Sequence, residues 1–154
     1  MVLKSWMQDW NDIICDVIFP DEELMSLMKI PAGTDIVTFT DRYFIRAGYT
    51  TKTLTNESVR IVYGNTYSTT TNNPMVMRNQ MSFDIYVKLE DMRNATNNRL
   101  MLRTVLIADR LNTLLTKSRY NGVYRFWIDG EQDMGTSAAG YARYNISFGY
   151  LKSY

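Results

Sequence analysis

The chain has no histidine and one cysteine, Cys15, among its 154 residues. Histidine is the side chain that most often acts as a general base near neutral pH, and it is the commonest metal ligand. One cysteine and no histidine leave a structural zinc site without its ligands and exclude a disulfide within the chain. We therefore expect no metal and no cofactor, and folding in a reducing cytoplasm.

Other signatures of chemistry are also missing. Neither of the glycine-rich phosphate-binding patterns, GxxxxGK[ST] or GxGxxG, occurs in the sequence. A serine nucleophile would have only a lysine or a carboxylate as its base, and no spacing pairs them. An enzyme is therefore the least favoured class of function.

Long apolar runs are absent as well, so the sequence predicts no membrane span. The first ten residues lack the apolar core of a signal peptide, and we expect synthesis in the cytoplasm. The net charge of +1 gives no sign of a nucleic-acid-binding surface driven by overall charge.

The main feature that is present is a predicted amphipathic helix over residues 98–116. One face repeats at helical spacing and consists of Leu100, Thr104, Ile107, Ala108, Leu111, Leu114 and Leu115. A second apolar group, Met101, Leu102, Val105 and Leu106, lies mostly on the other side. Either the N-terminal segment of the same chain or a neighbouring subunit is expected to cover this second side.

The remaining pattern predicts an α+β domain. Helices are expected at residues 3–19 and from Asp21, β-structure at 34–50, and strands at 59–63, 75–90, 122–129 and 141–152. Loops are expected at 50–58, 64–74, 91–97 and 130–140. We predict one domain over residues 1–154, with a helical segment at 1–33 and an α+β core at 34–154. Its sheet should have about four strands, antiparallel or mixed, with the main helix on one face.

Two local features are ambiguous. Cys15 follows Ile13 and Ile14 and is expected to pack as a small buried hydrophobic residue. Asp129, Glu131 and Asp133 alternate in a way that can hold Ca²⁺, but the further ligands of an EF-hand are missing. We expect a solvated acidic turn there and no metal.

The composition favours contact with other proteins. The chain has 11 Tyr, 3 Trp and 10 Met, which are types enriched at protein interfaces. Together with the helix that is apolar on two sides, this favours an obligate oligomer, although an aromatic-rich monomer remains the alternative. The candidate interface residues are Tyr67, Asn73, Met75, Leu102, Val105, Leu106, Asp129, Glu131, Asp133 and Met134.

Four segments carry a resemblance to a known family: VRIVYGNTY at 59–67, NQMSFDIYVKLEDM at 79–92, NNRLMLRTVLIADRLNTLLT at 97–116, and the closing VYRFWIDG and GYARYNISFGYLK. Over residues 55–152 the chain resembles the tail terminator, or tail-completion, proteins of tailed bacteriophages, which join head to tail. The N-terminal 50 residues lie outside this resemblance.

The resemblance implies a non-enzymatic virion protein of the tail or neck. Such a protein forms a ring, commonly a hexamer, that caps the tail tube protein and receives the head-completion or connector protein. Double-stranded DNA then passes through the lumen of the ring.

Two alternatives remain open from the sequence. A head-completion or connector adaptor on the portal side would have the same class of function but a different neighbour. A nucleic-acid- or carbohydrate-binding module would use the Tyr- and Trp-rich surface instead.

Overall fold

The computed structural model describes residues 6–48, 57–96, 99–117, 123–137 and 139–153. Its helices are α1 (Trp6–Ile13), α2 (Glu22–Leu27), α3 (Ile36–Thr38) and α4 (Arg103–Lys117). π-Helical turns continue α1 over Ile14–Ile18 and α3 over Phe39–Tyr43, and a 3-10 turn spans Leu89–Asp91.

The strands are β1 (Phe44–Arg46), β2 (Val59–Thr70), β3 (Val76–Lys88), β4 (Arg93–Thr96), β5 (Arg99–Leu102), β6 (Val123–Thr136) and β7 (Tyr141–Ser153). Five of them form a mixed sheet in the order β1-β2-β3-β7-β6, in which only β1 and β2 run parallel. β4 and β5 form a separate antiparallel pair. The predicted α+β class is confirmed, with one strand more than expected.

One face of the sheet carries the hydrophobic core. Along β3 the buried side chains alternate at Met81, Phe83, Ile85 and Val87, as the period of a strand requires. Helix α4 lies on this face and buries Thr104, Ile107, Ala108, Leu111 and Leu115, which were all predicted to share a face. Leu100, predicted with them, lies in β5 instead.

The N-terminal helices share this core. Trp10 of α1 packs edge-on against Phe83, Phe126 and Tyr150 at 5.6–6.0 Å between ring centroids. Helix α2 packs on α4, where Arg103 donates a hydrogen bond from Nη1 to the carbonyl oxygen of Leu27 at 2.8 Å. The N-terminal segment therefore covers one flank of α4, but it does not cover the second apolar group at Leu102 and Val105, which are exposed.

The two predicted long loops are wrong for most of their length. Residues 64–70 continue β2, and residues 130–136 continue β6, so the turns are confined to 71–75 and 137–140. Thr and Tyr suit extended backbone, and these strand ends pair without needing an apolar face. The polar link at 91–97 is wrong as well, because β4 occupies most of it; α4 correspondingly begins at Arg103 and not at residue 98.

Two further predictions fail in the N-terminal half. Residues 36–43 are helical and not extended, because Asp35 caps α3 by accepting a hydrogen bond from the Thr38 amide at 2.7 Å. Cys15 is exposed, since it falls on the outer side of the π-helical turn. Residues 1–5 and most of the predicted loop at 50–58 lie outside the described residues.

Candidate assembly interface

The outer strand of the sheet, β6, carries the longest run of exposed residues in the part of the chain that the structure describes. All nine residues from 128 to 136 are exposed, although the strand pairs with β7 along its other side. Two of these residues are the apolar Ile128 and Met134, and three are the candidate acids Asp129, Glu131 and Asp133. An exposed strand of this length offers unpaired backbone groups to a further strand. The acids therefore lie on an edge strand and not in a turn.

The three acids do not form one cluster. Asp129 points to the side of the sheet away from the helices, where Gln80 donates a hydrogen bond to its Oδ2 at 2.7 Å and Arg78 lies 3.4 Å from its Oδ1. Glu131 and Asp133 lie beside Tyr144, and burial together with the charge of Glu131 raises the pKa of that phenol. No group of three or more Asp, Glu or Cys residues in the described part of the chain is placed to hold a metal ion.

The opposite edge of the sheet is the short strand β1, in which Phe44 and Ile45 are buried and Arg46 is partly exposed. Sequence reasoning missed this edge, because residues 34–50 read as one extended segment and not as a helix followed by a three-residue strand.

The sheet face away from the helices is polar at its centre. Its central rows are joined across β3 and β7 by side-chain hydrogen bonds. Asn145 donates to Ser82 at 2.7 Å and to Asp84 at 2.8 Å, and Arg143 donates to the other oxygen of Asp84 at 2.9 Å. Both carboxylate oxygens of Asp84 therefore accept hydrogen bonds, and these contacts join β3 to β7.

On the same face the Trp127 ring lies against the backbone of β7 at Gly149. A Cβ atom at Gly149 would come within 2.4–2.6 Å of the Trp127 ring, so only glycine leaves room for the indole. The guanidinium carbon of Arg78 lies over the Trp127 ring, 5.6 Å from the ring centroid. Trp127 was not among the candidate residues.

Three apolar candidates lie at the junction of β5 and α4. Leu102 and Val105 are 47% and 37% exposed at the start of the helix, whereas Leu106 is partly buried. At this junction the Arg103 amide donates a hydrogen bond to the Met92 carbonyl oxygen at 2.7 Å.

The remaining candidates lie at the β2–β3 turn. Met75 is exposed, and Asn73 accepts a hydrogen bond from the Met75 amide at 3.0 Å, so Asn73 shapes the turn. Tyr67 belongs to β2, and its side chain lies outside the described part of the structure. The candidates thus occupy three places, namely the β6 edge, the start of α4 and this turn, and do not form a single patch.

No helix among the described residues is long and apolar enough to cross a membrane. None of the curated proteins compared with the chain matches it. A model of the YomW family matches residues 11–150, and the family carries a Bacillus phage-type gene name. Because the match covers nearly the whole chain, the protein belongs to the YomW family, which suggests that it is phage-associated.

Proposed function

We propose that this protein is a non-enzymatic component of the phage particle that forms a ring at the head–tail junction. The ring terminates the tail tube, joins it to the head connector and lets DNA pass through its lumen. The proposal combines membership of a phage-associated family with the resemblance of residues 55–152 to tail terminator proteins.

The observation that carries the proposal is the exposed edge strand β6. Nine consecutive exposed residues, with Ile128 and Met134 among them, are more open edge than a monomeric sheet protein ordinarily leaves to water. The exposed Leu102 and Val105 add a second apolar surface at the start of α4. Copies of the chain or adjoining parts of the particle would cover both.

The polar face of the sheet supports the DNA channel. Protein surfaces that hold DNA do so mainly with cations that replace counterions on the phosphates. On this face Arg143 is paired with Asp84, and Arg78 lies beside Asp129. A lining of paired charges and hydroxyl groups would let a duplex slide through without being retained.

The test is deletion of the gene from the phage or prophage that carries it, followed by electron microscopy of the lysate. A tail terminator predicts filled heads beside unjoined tails, many of abnormal length, and restoration of joined particles when the gene is supplied in trans. Emptied heads beside tails of normal length would instead indicate the head-completion role on the portal side. Normal infectious particles without the protein would overturn both.

A further inference from the structure

A short β-hairpin stands apart from the main sheet. β4 and β5 pair with each other, from Arg93 beside Leu102 to Thr96 beside Arg99, and with no other strand that the structure describes. The main contact of this hairpin outside itself is with α4, into which β5 runs. Two strands alone are marginally stable in water, so a hairpin of this size depends on what it packs against. We call residues 93–102 the arm.

The arm offers open edges and positive charge. Each of its strands is paired on one side and has no strand partner on the other among the described residues. Its sequence contains Arg93 and Arg99 and no acidic residue. Arg93 and Leu102, which lie opposite each other, are both exposed. The arm therefore presents backbone hydrogen-bonding groups together with basic and apolar side chains.

The exposed run of β6, residues 128–136, has the complementary character. It contains three acids and no base, and the exposed Ile128 and Met134 add apolar surface. β6 pairs with β7 on one side and with no described strand on the other. An open acidic edge and an open basic hairpin thus occur in the same chain but in separate sheets.

Two of the β6 acids are suited to meet the arm. Glu131 accepts a hydrogen bond from the Tyr144 hydroxyl, and Asp133 accepts one from the Gly135 amide. A carboxylate has room for several hydrogen bonds, so both can also accept from an arginine. Asp129 is already held across the sheet and is not needed for the contact. Since the Gly135 amide is bonded, the edge that is open to backbone pairing ends before this residue.

A second copy of the chain fits the β6 edge in both length and charge. The strands of the arm have four residues each, about 13 Å of extended chain, which is shorter than the exposed run of β6. Two arms would oppose base to base, and two β6 edges would oppose acid to acid, so twofold contacts between like edges are disfavoured. Each copy has one arm and one β6 edge, so it can give one contact and receive one.

We propose that a free edge of the arm of one copy pairs with the β6 edge of the next copy, with the arm's arginines against Glu131 and Asp133. This deepens the proposed ring and rests on it. The contact joins unlike surfaces, which is the kind of contact that closes into a ring. Pairing of the backbones supplies affinity, and the charges select the partner edge.

The first test reverses the charges and measures assembly by sedimentation velocity. The arm-reversed variant is Arg93→Glu with Arg99→Glu, and the edge-reversed variant is Glu131→Lys with Asp133→Lys. Each alone should raise the concentration needed for assembly by about tenfold or more. All four changes in one chain should restore assembly. Mixing the two variants should restore it as well, because the arm of each then fits the edge of the other.

A matched control separates this contact from a general effect of charge. Arg42→Glu with Lys117→Glu changes the net charge by the same amount at exposed positions outside the arm, and it should leave assembly unchanged. Circular dichroism checks that every variant is folded. The proposal is overturned if neither the fourfold variant nor the mixture assembles better than the separate variants, or if the control weakens assembly equally. A wild type that stays monomeric up to its solubility limit would overturn it too.

The second test removes the arm. Replacing residues 94–101 by an Asn-Gly turn leaves the β6 edge but no arm, and this armless variant should be monomeric. The edge-reversed variant keeps its arm and has no acidic edge to receive another. A mixture of the two can form one contact only, so a dimer containing one copy of each is expected and nothing larger. Larger assemblies from this mixture, or an armless variant that assembles like the wild type, would contradict the proposal.

The ring and the arm contact can fail separately. A chain that occupies the neck of the particle but assembles without regard to the arm would leave the proposed function standing and refute the contact. Assembly that depends on the arm, in a protein that is absent from the particle, would do the reverse.

Discussion

Asp9 of the first helix and Lys152 of the last strand form an ion pair in the interior, with side chains only 3% and 4% exposed. Beside them the indole N–H of Trp10 donates a hydrogen bond to the Tyr150 hydroxyl at 3.1 Å. These contacts join α1 to β7 across 140 or more residues of sequence. They fix the N-terminal segment on the sheet, although the resemblance to tail terminators did not extend to that segment.

Removing one partner of this ion pair should be costly. Lys152→Met leaves the Asp9 carboxylate buried without its counter-charge, and we expect a loss of about 3–5 kcal/mol in the free energy of unfolding. The double variant Asp9→Leu, Lys152→Met removes both charges and should lose far less or even gain stability. Urea unfolding followed by circular dichroism measures both, and a double variant as unstable as the single one would contradict the prediction.

The free energy of unfolding should fall at acid pH because of Asp21. Its carboxylate accepts hydrogen bonds from Arg110 at 2.5 and 2.9 Å, and this contact above all holds its pKa below the ordinary value of 3.8, with the Leu24 amide assisting and burial opposing. A lowered folded-state pKa contributes stability that is fully present above the unfolded pKa. That stability is lost as the pH falls through the lower folded-state value.

The corresponding experiment compares thermal unfolding of the wild type and Arg110→Met between about pH 6 and pH 2. The variant should be less stable near neutral pH and should lose less on acidification, so the two curves converge. The pKa of Asp35 is lowered mainly by the Thr38 amide, which the substitution does not touch. Asp35 therefore contributes the same pH dependence to both proteins, and the difference between the curves reports on Asp21. Parallel curves would show that the Arg110 contact does not set the pKa of Asp21.

Gly149→Ala should destabilise the sheet. The added methyl group would lie 2.4–2.6 Å from the Trp127 ring, so the indole must leave its position on the strand. Overpacking of this kind costs about 1–3 kcal/mol. In a Trp127→Leu background the same change should cost clearly less, because the ring is gone. Equal losses of unfolding free energy in both backgrounds would mean that the ring contact is not the cause.

Lys29 tests the end of α2. It adopts a left-handed backbone conformation with φ of 56°, and the helix closes there with hydrogen bonds from the Lys29 and Ile30 amides to Ser26 and Met25. Its Nζ also lies 2.6 Å from Asp91. Lys29→Ala loses this exposed ion pair and keeps the strain, whereas Lys29→Gly loses the pair and relieves the strain. We expect the glycine variant to be the more stable of the two by about 1 kcal/mol in chemical denaturation; equal values would show that the backbone there is unstrained.

The parts of the fold that were predicted correctly are those with one buried face. The alternation of Phe83, Ile85 and Val87 and the helical repeat of Ile107, Leu111 and Leu115 reflect burial against a single core, which hydrophobic periodicity records directly. The ends of strands that extend past the core show no such hydrophobic periodicity. The Thr- and Asn-rich end of β2 and the acidic end of β6 therefore looked like loops, although both pair with the neighbouring strand, each with an irregularity in its register.

The conformation of residues that depend on contacts distant in sequence was also predicted wrongly. Phe39 and its β-prone neighbours favour a strand locally, yet the cap at Asp35 and burial of Phe39 between Phe19 and Phe44 stabilise a helical turn. The position of β6 and β1 as the two edges of the sheet depends on the order of five strands, which no local pattern of the sequence specifies. Candidate interface residues could be named from composition, but where each lies in the fold could be seen only from the structure.

The β2–β3 turn and the β6–β7 turn lie at opposite ends of the sheet, because β3 and β7 run antiparallel with Val76 beside Ser153 and Lys88 beside Tyr141. A closed circle of copies whose strands follow its axis accordingly has two unlike rims. One bears the uncharged Asn-Asn-Pro-Met turn, and the other bears the small residues around Gly140. Such a circle has a top and a bottom, so it can be stacked between two different neighbours in only one sense.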